Sequence, residues 1–209
     1  MRLKYFILII FSTYLFSDSG GFAGASYRYG SNARSIALSN SLVSSYNTGY
    51  NPLTNPALLG QNFSKAEYGF SYFPMPFDRS IKTLSASIPL PLSASIGFSL
   101  FTTSVDDIKG TNSSGAYTGL YNAWEGYGML SFGLELSKLS AGINMKILKS
   151  EIDTYSSEDG IGIDVGFLYK LSPESQIGLL IDNLSTQYTW DVGSLYEEKF
   201  PTIFSIGYS

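Results

Sequence analysis

From about residue 66 to residue 209, apolar residues alternate with small or polar ones. Leu130, Phe132, Leu134 and Leu136 are separated by Ser131, Gly133 and Glu135. Ile161, Ile163, Val165, Phe167 and Tyr169 share one parity, with Gly162, Asp164, Gly166 and Lys170 on the other. A repeat of two is that of a strand with one apolar face. We read eight strands, over 66–73, 81–89, 93–104, 124–136, 140–152, 160–170, 176–188 and 200–208. Many approach the roughly 9–11 residues of a tilted bilayer-crossing strand and exceed the modal length of about 5–6 in soluble sheets. Short connections at 90–92, 137–139 and 171–175 alternate with longer ones at 74–80, 105–123, 153–159 and 189–199. Outer-membrane barrels show that alternation of tight turns and larger loops. The expected fold is therefore all-β: a transmembrane antiparallel outer-membrane β-barrel, with about eight strands in this chain. A secreted soluble β-sandwich competes with it, and the length of the greasy faces argues against the sandwich.

The first 65 residues do not alternate. Arg2 and Lys4 precede an apolar run from Tyr5 to Phe16, and Ser17-Asp18-Ser19 supplies small residues. This is the arrangement of a signal peptide over 1–19, and the apolar run is short for a membrane-spanning helix. Residues 20–65 form an N-terminal plug-like segment. Ala33, Ile36, Ala37, Leu42 and Val43 would line one side of a short helix. Asn51-Pro52 and Asn55-Pro56 then punctuate the chain, and Pro56 is suited to open a helical turn.

Composition narrows the chemistry. The formal charge of −4 argues against a nucleic-acid partner, which needs a basic surface. With no His and no Cys, His-based acid/base catalysis and thiol nucleophiles have no residues to use. Lys146, Lys170, Glu135, Asp164 and Asp182 fall on the inward parity of separate strands, where ion pairing is their ordinary role. Asp106 and Asp107, with Glu125, lack the spacing of a calcium loop. We expect no enzyme activity, no metal and no cofactor. The 16 Tyr and 14 Phe suit aromatic girdles at two membrane interfaces.

One stretch carries a family resemblance. Gly30-Ser31-Asn32-Ala33-Arg34, Ile36-Ala37-Leu38, Leu42-Val43, Tyr50-Asn51-Pro52 and Asn55-Pro56-Ala57-Leu58-Leu59 occur in that order before the first strand. This stretch resembles the start of the PorV/PorQ family of FadL-like outer-membrane barrels. Ser39-Asn40 and Ser44-Ser45 depart from it, standing where the family often carries a glycine pair and acidic residues. The resemblance implies a larger barrel than eight strands, with the N-terminal segment plugging or lining its lumen. A chain that represents part of a longer barrel reconciles the two strand numbers; a complete small barrel with an appendage is the other reading.

The resemblance also implies a place in type IX protein secretion or in FadL-like transport of hydrophobic compounds. Partners would be outer-membrane lipid, with secreted proteins, secretion-machinery subunits or hydrophobic small molecules. A structural or adhesive barrel without transport is the alternative. In the plug we expect Arg34 to anchor by bidentate pairing with a carboxylate and Asn55 to cap the Pro56 turn, with Asn51 and Pro52 beside them. Phe22, Ile36, Leu42 and Val43 would border a hydrophobic route.

Overall fold

The structure is a computed structural model that describes residues 22–61, 65–157, 159–191 and 194–209. The expected signal peptide over 1–19 lies outside the described residues. The strands are β1 (Glu67–Met75), β2 (Arg79–Leu90), β3 (Ala94–Thr111), β4 (Tyr117–Leu136), β5 (Leu139–Ile152), β6 (Tyr155–Ser156), β7 (Gly160–Ser172), β8 (Ser175–Leu184), β9 (Gln187–Asp191), β10 (Leu195–Lys199) and β11 (Ile203–Tyr208). Eight of them form one antiparallel meander, in the order β1-β2-β3-β4-β5-β7-β8-β11. β6 pairs with β5, and β9 and β10 form a separate hairpin. Among the described residues no pairing joins β1 to β11, so the sheet is open rather than a closed barrel.

The sheet is strongly curled nonetheless. Near one edge, the Gly49 amide donates to Glu67 Oε2 on β1 at 2.9 Å. Beyond the other, Ser209 Oγ donates to the Ser44 carbonyl at 3.0 Å. Ser44 and Gly49 are five residues apart, a reach of at most about 18 Å. Eight flat strands would hold their edges roughly 34 Å apart at about 4.8 Å per spacing. Only a sheet wrapped around the N-terminal segment lets both ends touch it.

The alternation read from the sequence appears as two unlike faces. Leu130, Phe132, Ile143, Met145, Ile147, Ile161, Phe167, Leu179, Phe204 and Ile206 are exposed on the outer face. Thr83, Ser85, Ser95, Ser99, Ser131, Ser140, Asn144 and Asp164 are buried on the inner face. This reverses the arrangement of a water-soluble sheet, in which the apolar face is the covered one.

Tight turns lie at one end of the sheet, through Pro91, Ser137 and Pro173. Three expectations change at the other end. The loop expected over 105–123 is mostly hairpin, because β3 and β4 stay paired out to Thr111 and Tyr117 with two register shifts. The loop expected over 189–199 is largely the β9–β10 hairpin. The connection expected over 74–80 shrinks to Pro76–Asp78, where Phe77 and Asp78 adopt positive φ to make the tight turn.

The N-terminal segment contains little regular structure. A 3₁₀ turn covers Ala25–Tyr29, helix α1 covers Ala33–Ala37, α2 covers Asn51–Thr54, and a second 3₁₀ turn covers Pro56–Gly60. α1 starts at a reciprocal cap: Asn32 Oδ1 accepts from the Ser35 amide at 2.7 Å, and Ser35 Oγ accepts from the Asn32 amide at 2.9 Å. It stops after five residues, so Leu42 and Val43 lie beyond the helix they were expected to share with Ala33 and Ile36.

Candidate functional site

The inner face seats the N-terminal segment on a belt of glycines. Gly133, Gly142 and Gly166 are direct cross-strand neighbours on β4, β5 and β7. Pro56 and Asn55 lie over them. A Cβ at Gly142 would come within 2.3 Å of the Pro56 carbonyl carbon, and one at Gly133 within 2.5 Å of the Pro56 oxygen. A Cβ at Gly97 would meet the Pro52 ring, and one at Gly178 the Val43 carbonyl. No other residue lets backbone approach backbone so closely, and this lets the second 3₁₀ turn lie flat on the wall. Ala57, Leu58 and Leu59 are completely buried there.

Asn55 holds the turn as expected and does more. Its Oδ1 accepts from the Ala57 amide at 3.0 Å, while its Nδ2 donates to the Val43 carbonyl at 2.8 Å and the Leu179 carbonyl at 3.3 Å. One side chain thus ties the cap to the segment and to the wall. Asn51 is also completely buried, with Oδ1 accepting from the Asn47 amide at 2.8 Å. Pro52 and Pro56 each stand near the start of their helical turn, where a missing N–H costs nothing.

Arg34 departs from its expectation. It is exposed, and its guanidinium donates to the Tyr46 carbonyl at 2.9 Å rather than gripping a carboxylate. Glu67 on β1 anchors instead. Its oxygens accept from Tyr46 Oη at 2.8 Å, from the Gly49 amide, and from Asn51 Nδ2 at 3.4 Å. Burial first, then the hydrogen bond to Glu67, pushes the Tyr46 phenol well above its ordinary value. Sequence reading passed over Glu67 because a lone acid at a strand start carries no pattern.

At the long-loop end an aromatic cluster clamps the first 3₁₀ turn. Tyr27 stands edge-on to Phe101 and Tyr127, at centroid distances of 5.5 and 5.0 Å, and stacks on Phe200 at 5.9 Å. Its hydroxyl lies 2.5 Å from that of Tyr188 on β9, and Ser26 Oγ donates to Glu125. Burial, with Tyr188 and Glu125 alongside, keeps the Tyr27 phenol protonated far above its ordinary range.

Between clamp and glycine belt lies a cavity of about 280 Å³. Lys146 Nζ pairs with Asp164 Oδ1 at 2.8 Å on its floor and lies 5.3 Å from the Tyr127 ring centroid. Asp164 Oδ1 also accepts from the Asn183 amide at 3.0 Å, and Asp164 Oδ2 accepts from Asn144 Nδ2 at 3.0 Å. Asn144 Nδ2 reaches on to the Pro52 carbonyl at 3.2 Å, linking the ion pair to the segment above it. The inward parity of Lys146 and Asp164 pointed to an ion pair, but only the register brings the two together. The separate Lys170–Glu135 pair spans 2.6 Å nearer the tight turns.

The four residues of the expected hydrophobic route do not form one surface. Leu42 and Val43 line the cavity, whereas Phe22 and Ile36 are not part of its lining. Compared with known proteins, the chain matches no protein-family model and no curated sequence.

Proposed function

We propose that this chain forms lipid-facing wall and luminal plug of a bacterial outer-membrane β-barrel of the PorV/PorQ kind, serving type IX protein secretion. The observation that carries the membrane part is the apolar outer face and its boundaries. One outward row reads Tyr72, Lys82, Thr102, Gly126 and Lys149 across five adjacent strands. At the other end an outward row reads Leu136, Leu139, Tyr169, Ile177 and Tyr208. Between them along β4 the outward residues are Gly128, Leu130, Phe132 and Leu134. From Gly126 to Leu136 the strand rises about 34 Å. Tilted by about 40°, that is close to the roughly 25 Å apolar band of outer-membrane barrels. Trp124 Nε1 donates to Glu151 Oε2 at 2.6 Å, and Glu151 pairs with Lys149 at 3.3 Å. An amphipathic ring beside charges suits a membrane interface.

The filling of the inner face supports a role in handling exported proteins over passage of hydrophobic compounds. The segment is bonded to the wall from β1 to the end of β11, and the remaining cavity has a charged floor. FadL-like transport draws support from Leu42 and Val43 in that cavity's lining, but Phe22 and Ile36 do not extend it. The projecting β3–β4 hairpin offers a surface for a protein partner, with Ile108, Tyr117 and Leu120 exposed.

Fractionation of the native cells tests the location: the protein should sediment with outer membrane and require detergent for release. Recovery in the soluble fraction without detergent would overturn the reading. Deleting the gene tests the role, and secreted cargo should then accumulate in the periplasm. Normal secretion together with saturable binding of a labelled fatty acid would shift the assignment to transport.

A further inference from the structure

The β9–β10 hairpin is the top of the β8–β11 pair, turned out of the sheet. β8 stops at Leu184 and β9 starts at Gln187, while β10 stops at Lys199 and β11 starts at Ile203. Both strands therefore break at one level. Asp182 and Gln187 are five residues apart, but their partners Ile203 and Lys199 are four apart. The extra residue is a bulge, which bends its strand. Asn183 and Ser185 take φ of 60° and 53° at this bend, and Pro201 on the other strand has no N–H to give a ladder. The tip turns inwards. Gly160 and Gly162 share the inward parity of Asp164 on β7. A Cβ at Gly160 would come within 2.5 Å of the Gln187 carbonyl oxygen, and one at Gly162 within 2.7 Å of Thr186 Oγ1. The chain thus crosses the inner side of β7 instead of continuing beside it.

Side chains hold the tip, not a ladder. Among the described residues one isolated bridge, Ser157 with Trp190, pairs it with the rest of the chain. Tyr188 is 1% exposed and packs with Ala23, Leu148 and Phe200. Its hydroxyl meets that of Tyr27 and donates to Glu125 Oε2 at a long 3.5 Å. The base, by contrast, is bonded firmly. The Asn183 amide donates to Asp164 Oδ1, and the Asn183 carbonyl accepts from Thr202 Oγ1 at 3.2 Å. A fixed base, two left-handed residues above it and a tip gripped by side chains are the parts of a hinged flap. Asn183, Phe200 and Pro201 line the cavity, so a swing of the tip moves that wall.

We propose that the β9–β10 hairpin is a lid over the long-loop end of the lumen, hinged at Asn183–Thr186 and Pro201–Thr202, which swings off Tyr27 while the meander stays folded. Open, it uncovers Leu148 and the first 3₁₀ turn and admits solutes to the cavity. The lid goes beyond the secretion role and stands on the geometry of the hairpin alone.

The chain has no Cys, so one introduced thiol reports on its own site. Leu148 under Tyr188 and Ala57 on the glycine belt are both completely buried. Leu148→Cys and Ala57→Cys, each made alone in the full chain in detergent micelles, are labelled with N-ethylmaleimide, and each rate is scaled to that in denaturant. Leu148→Cys should react about tenfold faster than Ala57→Cys or more, because local opening costs less than global unfolding. Adding Tyr188→Ala should speed Leu148→Cys by about a further tenfold and leave Ala57→Cys unmoved. Tyr188→Phe keeps the ring and loses only the hydroxyl, so it carries the test if the Ala variant fails to fold; its smaller acceleration should again be confined to Leu148→Cys. Equal rates at the two thiols would overturn the proposal, since only global unfolding would then bare Leu148. An effect of the Tyr188 variants on both thiols alike, or on neither, would overturn it too. Because the labelling needs no membrane, its failure is separate from failure of the fractionation test.

Discussion

Gly142 on β5 lies against Pro56 so closely that a single added methyl group would overlap the Pro56 carbonyl, with 2.3 Å to its carbon. That relationship makes the inner wall a seat for the N-terminal segment. Gly142→Ala should therefore lift the Pro56–Gly60 turn and cost about 1–3 kcal/mol, the usual range for overpacking. Gly128 is the control, since a Cβ there would meet Leu100 at an ordinary 3.5 Å. Gly128→Ala should lie within about 0.5 kcal/mol of the unaltered chain. Thermal unfolding in detergent and limited proteolysis of residues 30–61 check both; equal behaviour of the two variants would remove the seat from the account.

Asn55 should be the most sensitive polar position of the segment. Asn55→Ala loses a cap and leaves the Val43 and Leu179 carbonyls without their donor, for a combined cost of about 2–4 kcal/mol. Asn55→Asp keeps the cap acceptor but aims a carboxylate at two carbonyls, so it should not rescue. Arg34→Ala removes one exposed hydrogen bond and should cost less than about 1 kcal/mol. A protease-sensitivity ranking with Arg34→Ala above Asn55→Ala would contradict these assignments.

The Lys146–Asp164 pair is almost wholly shielded from solvent. Lys146→Met leaves the Asp164 charge uncompensated and should destabilise by about 3–5 kcal/mol. The double change Lys146→Met with Asp164→Leu should recover much of that loss, because the stranded charge disappears with its partner. Denaturant titration of the two variants decides it; a double variant no more stable than the single one would show that the charge was not the cause.

The outer face supplies a test that depends on lipid. Met145 is exposed near the middle of β5. Facing hydrocarbon, Met145→Lys should cost about 2–4 kcal/mol in reconstituted bilayers. Facing water it would cost almost nothing. Unfolding measured in phospholipid vesicles distinguishes the two.

Alkaline stability follows from Tyr27 and Tyr46. In the unfolded chain both would ionise near pH 10, whereas burial keeps them protonated above that in the fold. The folded state therefore binds more protons above pH 10, and its stability is full below that pH and falls as pH rises. Absorbance at 295 nm should show these two phenols among those that titrate late, together with unfolding. In Tyr27→Phe one phenol should vanish from that late phase.

Strand existence and face were legible from the chain alone, because alternation depends only on the direction of successive side chains. Seven of the eight strands read from the pattern contain most of their expected residues, β3 and β4 running on into the expected 105–123 loop, and all eight places in the meander are filled. The expected strand over 176–188 ended early, at Leu184, and its tail joined the β9–β10 hairpin. Local chemistry was legible too: Asn55 beside Pro56 is a cap and turn that needs no distant partner. Arg34 was misread because a bidentate partner is a tertiary fact, and none of its sequence neighbours specifies it.

The sequence by itself determined that one face of every long strand is apolar and the other small or polar, and that the first 60 residues cannot continue that pattern. Only the tertiary structure decided what the small face is for. Register alone puts Gly133, Gly142 and Gly166 side by side. Curl alone brings β1 and the end of β11 to the same few residues of the N-terminal segment. Glu67 and Asn144 carry no mark in the sequence, because a hydrogen-bond partner is defined by groups that arrive from elsewhere in the chain.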